Sequence, residues 1–150
     1  MTTPQITFQF IPTSGELYKQ SRALRWLRLR HPLGFAKGTE RFECEDDALH
    51  LVALHNATVV GCVLFIATSA TSGRLFQMVV AESHAGMGLG KALVRHLEER
   101  LRNDKFERVE LHARCHVQGF YERLGYTACS DIYEEVSIPH ITMERDIRRC

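Results

Sequence analysis

The sequence has no strong charge imbalance, no paired-cysteine pattern and no long apolar run. Its 19 basic and 18 acidic residues give a formal net charge of +1, so no overall field favours nucleic acid or an anionic membrane. The five cysteines are odd in number and form no CxxC pair; this argues against a disulfide framework or structural zinc and predicts buried free thiols. No apolar stretch approaches the roughly 20 residues of a membrane span and no signal-peptide pattern is seen, so we expect a cytoplasmic protein.

The hydrophobic content of 45% is sufficient for one core, and we expect a single domain over 1–150. Alternating apolar residues at 6–11 predict a first strand. Thr13 and Glu16 have capping-box spacing and predict a helix that continues to about residue 30. Its expected buried stripe contains Leu17, Leu24 and Leu27. The basic run at 22–31 is interpreted as the polar face of this helix rather than as a nucleic-acid or membrane contact.

The middle of the chain predicts alternating strands and helices. Apolar, β-branched runs at 49–55 and 58–67 predict a hairpin, and 74–81 predicts a further strand. The spacing of apolar residues over 91–102 predicts a helix with one buried face. We expect that face to contain Leu93, Val94, Leu97 and Leu101, and the solvent face to contain Glu98, Glu99 and Arg102.

The last third predicts a strand at 107–113, a short helix and two more strands. The short helix ends at Gly125, and its expected packed face contains Val117, Phe120, Tyr121 and Leu124. Runs at 127–133 and 140–147 predict two strands joined by a turn. This order of elements indicates a mixed α/β sheet.

A glycine-rich loop connects the strand at 74–81 to the helix at 91–102. Gly86, Gly88 and Gly90 alternate there. Backbone amides at a helix N-terminus, aided by the helix dipole, attract an anion such as a phosphate, and glycine permits close approach. The alternative is a tight turn that only lets the helix pack on the sheet.

Two better-known phosphate loops fit this spacing badly. Three residues rather than four separate Gly86 from Gly90 and Lys91, and Ala92 stands where a Walker A loop has Ser or Thr. The Rossmann fingerprint is GxGxxG near the start of a βαβ unit, whereas GxGxG here follows several strands. The pattern therefore disfavours an NTPase and a dinucleotide-binding enzyme.

The segments LFQMVVA, HAGMGLGKAL and GFYERLGY, within about 74–126, resemble the GNAT superfamily of N-acetyltransferases. The tail segments YEE and IPHITM are similar to its ElaA-like branch. The resemblance implies an α/β (α+β) fold with a mixed, mainly antiparallel central sheet of roughly six to seven strands and about four helices. It also implies acetyl-coenzyme A (acetyl-CoA) as cosubstrate, no metal, and acetyl transfer to a primary amine.

The resemblance also implies specific cofactor contacts. Main-chain groups of Met78, Val79 and Val80 are expected to pair with the pantetheine arm as an added strand does. The loop residues expected around the pyrophosphate are Ala85, Gly86, Met87, Gly88, Leu89, Gly90 and Lys91. Two positions depart from the family: Ala85 replaces the usual Gln or Arg, and Arg114 replaces an Asn that often contacts the cofactor. Arg114 and Phe120 complete the expected cofactor contacts.

Tyr121 matches the family tyrosine that protonates the departing thiolate of coenzyme A, and the alternative is a packing role. The attacking amine must be neutral, so a base or a water is needed. His116 is the base candidate favoured by the resemblance, with a surface role as its alternative. His112, Glu110 and Gln77 are further candidates, and the choice stays open.

The tail contains Glu134, Glu135 and His140. We expect Glu134 and His140 to contact a cationic acceptor, and the alternative is an exposed acidic turn followed by a strand.

Metal binding by His112, Cys115 and His116 is disfavoured, because extended residues at such spacing face opposite sides and no second ligand pair follows. Rival functions are a non-catalytic acyl-CoA-binding or sensing module and a non-enzymatic interaction domain. We expect no nucleic-acid or membrane partner. The acceptor is left open, and a homodimer is one oligomeric state under consideration.

Overall fold

The computed structural model describes residues 5–149, with eight β-strands and three α-helices. In chain order they are β1 (Ile6–Ile11), α1 (Glu16–Arg25), β2 (Leu49–His55), β3 (Thr58–Ala67), β4 (Ser72–Val80), α2 (Leu89–Asn103), β5 (Arg108–Arg114), α3 (Gln118–Arg123), β6 (Thr127–Ala128), β7 (Tyr133–Glu135) and β8 (Ile138–Asp146). The sheet order is β1-β2-β3-β4-β5-β8-β6, with β7 on β8. The mixed, mainly antiparallel fold is confirmed, with eight strands instead of six to seven and three α-helices instead of about four.

The chain divides into two compact units, of which the first contains Gln77–Leu97 and the chain up to Ile66. In it, β1 pairs with β2 and β2 with β3, all antiparallel. The hairpin prediction is confirmed, since β2 and β3 have the expected bounds and Asn56 turns between them with φ 57°. These central strands are apolar and almost wholly buried. The predicted apolar face of α2 is likewise buried at Leu93, Val94 and Leu97.

Helix α1 differs from its prediction at both ends. The capping box is wrong: Gly15 is the N-cap residue, and no side chain caps the helix. The α-helix ends at Arg25 and continues as a π-helical turn, Trp26–Arg30, and a 3₁₀ turn, His31–Leu33. A π-helical turn has more residues per turn, so the 3.6-residue spacing loses its phase there. Leu27 is consequently 52% exposed instead of buried.

The buried face of α1 includes charge. Arg25, expected on the polar face, has no exposed side-chain surface and is paired with the equally buried Glu45. Tyr18 Oη donates to Glu45 Oε1 (3.0 Å), and His50 Nε2 lies 2.8 Å from the Glu45 carbonyl oxygen. Burial raises the pKa of Glu45, but the hydrogen bonds and charge of Arg25 outweigh it and hold the value below its ordinary range.

The second unit contains Ala67–Phe76 and the chain from Glu98 onward. The first half of β4 is parallel to β5, whereas β8 is antiparallel to β5, β6 and β7. The strand predicted at 127–133 is two short strands, β6 and β7, and β7 turns into β8 through Val136 and Ser137, both with positive φ. Glu98 was predicted to face solvent but is buried. Its carboxylate accepts hydrogen bonds from Tyr126 Oη (2.9 Å) and Arg145 Nη1 (2.7 Å), which compensate for the loss of water.

The four described cysteines are free, and Cys150 lies outside the described residues. The expectation of burial holds for Cys62 but is wrong for Cys129, which is exposed; Cys44 and Cys115 are partly exposed. Burial raises the pKa of the Cys62 thiol to about 11. Across residues 5–149, no helix combines the length and apolarity that crossing a membrane requires.

Candidate functional site

The end of β4, in the first unit, carries the predicted main-chain contacts of Met78, Val79 and Val80. Val79 is 4% exposed, and its two neighbours are half-buried. Gln77 precedes them with φ 52°, a left-handed conformation in a non-glycine residue. Such a conformation costs about 1–2 kcal/mol, and strain of this kind concentrates at functional positions. Gln77 Oε1 is also buried without a hydrogen-bond partner among the described residues.

Strand β3 approaches this end of β4 at Gly61. A Cβ atom added to Gly61 would lie 3.0 Å from Leu93 Cδ1 and 3.3 Å from the carbonyl oxygen of Val79. The Ala81 amide donates to the Val60 carbonyl oxygen at 2.8 Å. A side chain at position 61 would therefore have to displace Leu93 and crowd the Val79 carbonyl by a few tenths of an ångström, so glycine lets β3, α2 and the end of β4 pack closely.

The glycine loop itself is open to solvent. Gly86 (φ 79°) and Gly88 (φ 77°) are left-handed, and a Cβ atom at either position would meet nothing within 4 Å. Ala85 is exposed, and Met87 between the two glycines is 54% exposed. The two glycines are thus required by backbone conformation and not by crowding, so room remains in front of the loop.

Helix α2 begins directly after this loop. The Ala92 amide donates to the Gly88 carbonyl oxygen (3.1 Å), so the amides of Leu89, Gly90 and Lys91 fall in the first turn, which offers them no helical acceptor. The first turn carries no acidic side chain. Gly90 differs from the other two loop glycines because it lies inside the helix and is buried. The arrangement presents main-chain donors and the positive end of the helix dipole, which suits an anion.

Sequence reasoning missed a histidine pair that holds the segment before the loop. His84 Nε2 lies 2.7 Å from His55 Nδ1, and the Ser83 hydroxyl lies 2.8 Å from His84 Nδ1. At least one of the two imidazoles must be neutral to accept this bond. No sequence signal links residues that are 29 positions apart; only the register of β2 brings them together.

Tyr121, in the second unit, lies on α3 and is 6% exposed. Its ring makes edge contacts with Phe120 (4.9 Å between centroids) and Tyr126 (5.8 Å). Burial raises the pKa of the Tyr121 hydroxyl above its ordinary value, which keeps the phenol protonated at neutral pH. A neutral O–H is the form that a proton donor requires.

The remaining candidates between β5 and α3 are more exposed. Arg114, the last residue of β5, is half-buried opposite His140 in the β5–β8 register. His116 is exposed in the 3₁₀ turn Cys115–Val117, and Phe120 is half-buried. Tyr121, the predicted acid, and His116, the predicted base, therefore differ sharply in burial.

The tail and β5 form a cluster that we call the histidine–glutamate cluster, comprising Glu110, His112, Tyr133, Glu135 and His140. His112 Nδ1 lies 3.0 Å from Glu135 Oε1, and His140 Nε2 lies 3.5 Å from Glu135 Oε2. Glu110 Oε1 is 3.6 Å from His112 Nε2, and the Tyr133 ring meets the His112 ring edge-on at 5.9 Å. The carboxylate of Glu135 thus bridges two imidazoles.

Of the two predicted acceptor contacts in the tail, the structure brings only His140 into this cluster. His140 is 4% exposed, whereas Glu134 is exposed and its neighbour Glu135 makes the contacts. Successive strand residues point to opposite faces, which separates Glu134 from Glu135. Burial raises the pKa of Glu135, but the hydrogen bond from His112 and nearby positive charge outweigh it and lower the value. Nowhere within residues 5–149 are three or more His, Cys, Asp or Glu side chains arranged to hold a metal ion.

A family model described as an acetyltransferase (GNAT) domain matches residues 33–147. The chain belongs to the GNAT acetyltransferase family. Acetyl-CoA-dependent N-acetyl transfer is the general kind of reaction in this family, whose members bind acetyl-CoA and an acceptor.

Two relatives illustrate this membership. A Bacillus subtilis (strain 168) protein provisionally named an acetyltransferase is 31% identical over 99 residues, which cover 66% of this chain and 67% of that protein. Protein ElaA of Escherichia coli (strain K12) is 33% identical over 72 residues, 47% of each chain. The ElaA-like resemblance is thereby confirmed.

Solved structures agree on the GNAT fold. Escherichia coli ElaA superposes with a TM-score of 0.79 at 22% identity, covering 95% of this chain and 100% of its own. An aminoglycoside 6'-N-acetyltransferase complexed with coenzyme A superposes with a TM-score of 0.80 at 18% identity, covering 96% and 98%.

Proposed function

We propose that this GNAT protein transfers an acetyl group from acetyl-CoA to a primary amine. The observation that carries the proposal is the open glycine loop at the start of α2, where Gly86 and Gly88 are left-handed and a Cβ atom added at either would meet nothing within 4 Å. A family that uses acetyl-CoA needs a pyrophosphate site, and this loop has the main-chain donors for one.

In the proposal, amides between Ala85 and Lys91 receive the pyrophosphate, and main-chain groups of Met78, Val79 and Val80 pair with the pantetheine arm. Ala85 supplies no side chain where relatives of this superfamily usually have Gln or Arg, so the backbone has to carry the phosphate contacts. Arg114 and Phe120 remain further predicted cofactor contacts.

The proposed reaction needs an amine that attacks the thioester and a phenol that donates a proton to the leaving group. A neutral amine nitrogen attacks the thioester carbon, the tetrahedral intermediate collapses, and the carbon–sulfur bond breaks. Tyr121, which is protonated at neutral pH and whose pKa burial raises further, gives its proton to the leaving sulfur. The amide nitrogen loses its surplus proton to solvent, and solvent returns a proton to the Tyr121 phenolate. Glu134 and His140 remain predicted acceptor contacts, and His116 remains a predicted base.

Release of free thiol tests the proposal. Wild type is incubated with acetyl-CoA and, separately, spermidine, kanamycin, free lysine and a peptide with a free N-terminus, and the thiol is measured with a chromogenic disulfide. We expect amine-dependent thiol release that Gly88→Val abolishes. Gly34→Val is the matched control, because Gly34 also has a positive φ (81°) and open space around its Cβ position.

Thiol release that survives in Gly88→Val as fully as in Gly34→Val would contradict the assignment of the loop. Saturable acetyl-CoA binding without thiol release from any amine would contradict acetyl transfer and leave a non-catalytic acyl-CoA-binding module.

A further inference from the structure

We infer that His112 is the base that takes the proton from the acceptor amine, with Glu135 and His140 as positioning residues. The inference rests on the proposed function and assigns to one residue the step that the sequence left open among several. It is argued from contacts within the second unit.

The first step is the tautomer of His112. Glu135 has a lowered pKa and is therefore an ionised acceptor at neutral pH. His112 Nδ1, at 3.0 Å from Glu135 Oε1, must then be the donor. In neutral His112 this places the hydrogen on Nδ1 and leaves the lone pair on Nε2, which is the atom a base needs.

The second step is the fixation of Glu135. Its other carboxylate oxygen lies 3.5 Å from Nε2 of His140. His140 is itself fixed, because its Nδ1 lies 2.8 Å from the Ile138 carbonyl oxygen and its side chain is nearly buried. A carboxylate held at both oxygens keeps the His112 ring in one orientation.

The third step is the surroundings of His112 Nε2. Glu110 Oε1 is 3.6 Å away, beyond a direct hydrogen bond, and its side chain is 47% exposed. A carboxylate at this place attracts an ammonium group toward the lone pair of Nε2. Among the described residues, Glu135 and Tyr133 on β7 also lie beside His112. Glu135 in turn contacts His140 on β8, and Arg74 Nη2 on β4 lies 4.0 Å from Glu135 Oε1.

The position of His112 along the sheet is consistent with this role. The parallel β4–β5 register runs from Ser72 and Arg108 to Leu75 and Leu111, and His112 is the next residue of β5. It faces the same side as Glu110, whereas Leu111 and Ala113 are buried on the other side. His112 is thus half-buried and hydrogen-bonded to Glu135, in contrast to the exposed His116.

The proposed step is a single proton transfer. The acceptor ammonium loses one proton to His112 Nε2, which gives a neutral amine and an imidazolium whose Nδ1–H still donates to Glu135. The neutral amine then attacks the thioester as proposed above. The imidazolium returns the proton to solvent after each turnover.

The orientation of His112 is tested without any acceptor, by NMR of imidazole nitrogens in the full-length protein. We expect the Nδ1–H tautomer for neutral His112, a loss of that preference in Glu135→Gln, and its return in Glu135→Asp. An Nε2–H tautomer, or a preference that Glu135→Gln leaves unchanged, would overturn the positioning.

Kinetics then tests the base. Using the amine that gives the fastest thiol release, we expect His112→Asn to lower kcat about 100-fold, to keep acetyl-CoA affinity, and to remove the acidic limb of the kcat/KM profile against pH. His31→Asn, in the exposed 3₁₀ turn His31–Leu33, is the control and should retain both turnover and profile. A loss in His116→Asn with none in His112→Asn would assign the base to His116 and overturn the inference.

Failure of the proposed function looks different. No thiol release from wild type with any of the four amines contradicts acetyl transfer itself, and with it any role for His112 as base. Normal wild-type turnover together with an unaffected His112→Asn contradicts this inference alone.

Discussion

The two units use charged side chains in opposite ways. In the first unit the ion pair of Arg25 with Glu45 is wholly buried, and the candidate phosphate loop presents exposed backbone. In the second unit, charged and titratable side chains reach the surface around His112. The difference teaches that removing a partner of a buried ion pair should affect folding, whereas changing a side chain of the exposed cluster around His112 should affect chemistry.

The largest expected effect is on stability in the first unit. Arg25→Met leaves Glu45 buried without its partner, which should lower the free energy of unfolding by about 3–5 kcal/mol. Urea denaturation checks it. Arg28→Met is the matched control on the same chain segment, because its pair with Glu82 is largely exposed, and it should change stability by less than about 1 kcal/mol.

The same ion pair sets an acid limit to stability. The pKa of Glu45 is lowered below the ordinary 4.5, so the stabilisation is complete above that value and is lost as pH falls through the folded-state pKa. The Arg25→Met variant should lose less stability than wild type as pH falls below the ordinary carboxyl value of 4.5. Equal acid sensitivity of the two proteins would contradict this assignment.

A smaller effect, confined to chemistry, is expected in the second unit. Tyr121→Phe removes one hydroxyl and should lower kcat about 100-fold with little change in acetyl-CoA affinity. Tyr126→Phe is the control: its hydroxyl donates to Glu98, so its loss should reduce stability by about 1–2 kcal/mol and spare turnover. Unchanged kcat in Tyr121→Phe would remove the phenol from the mechanism.

A titration sharpens the comparison further. Burial raises the pKa of Glu135, but the hydrogen bond from His112 helps to lower it. His112→Asn should therefore raise the pKa of Glu135, which NMR of its side-chain carboxyl carbon measures. His96→Asn, on α2 and stacked on Phe8, should leave it unchanged. A Glu135 pKa that does not respond to His112→Asn would break the account of the cluster.

The smallest expected effect is at the glycine loop. If main-chain groups bind the phosphates, removing the exposed side chain of Lys91 should lower the affinity for acetyl-CoA by no more than about threefold. The reason is that solvent and salt screen an exposed charge. Calorimetry of Lys91→Ala measures it. A loss of 100-fold would show that a side chain carries the phosphate contact after all.

Sequence alone predicted those features that depend on local pattern. The hairpin of β2 and β3 and the loop before α2 follow from alternation, turn residues and glycine spacing, all within a few positions. The apolar face of α2 was also correct at Leu93, Val94 and Leu97.

The errors concern side chains whose partners lie far along the chain. Periodicity places Arg25 and Glu98 on solvent faces. Both are buried instead, Arg25 paired with Glu45 and Glu98 paired with Arg145. Periodicity assigns faces by polarity and cannot show that a distant opposite charge compensates burial. The sequence also could not show which of Glu134 and Glu135 meets His140, because the pairing of β7 with β8 decides it.

Acetyl-CoA titration by calorimetry tests the central claim, a backbone-built cofactor site in the first unit, most directly. Wild type, Gly88→Val and Gly34→Val are compared at equal folded fraction. The account predicts that wild type and Gly34→Val bind acetyl-CoA with a dissociation constant in the micromolar range, a binding free energy of about −8 kcal/mol. It predicts no binding by Gly88→Val. Equal affinity in all three proteins, or no binding by wild type, would contradict it.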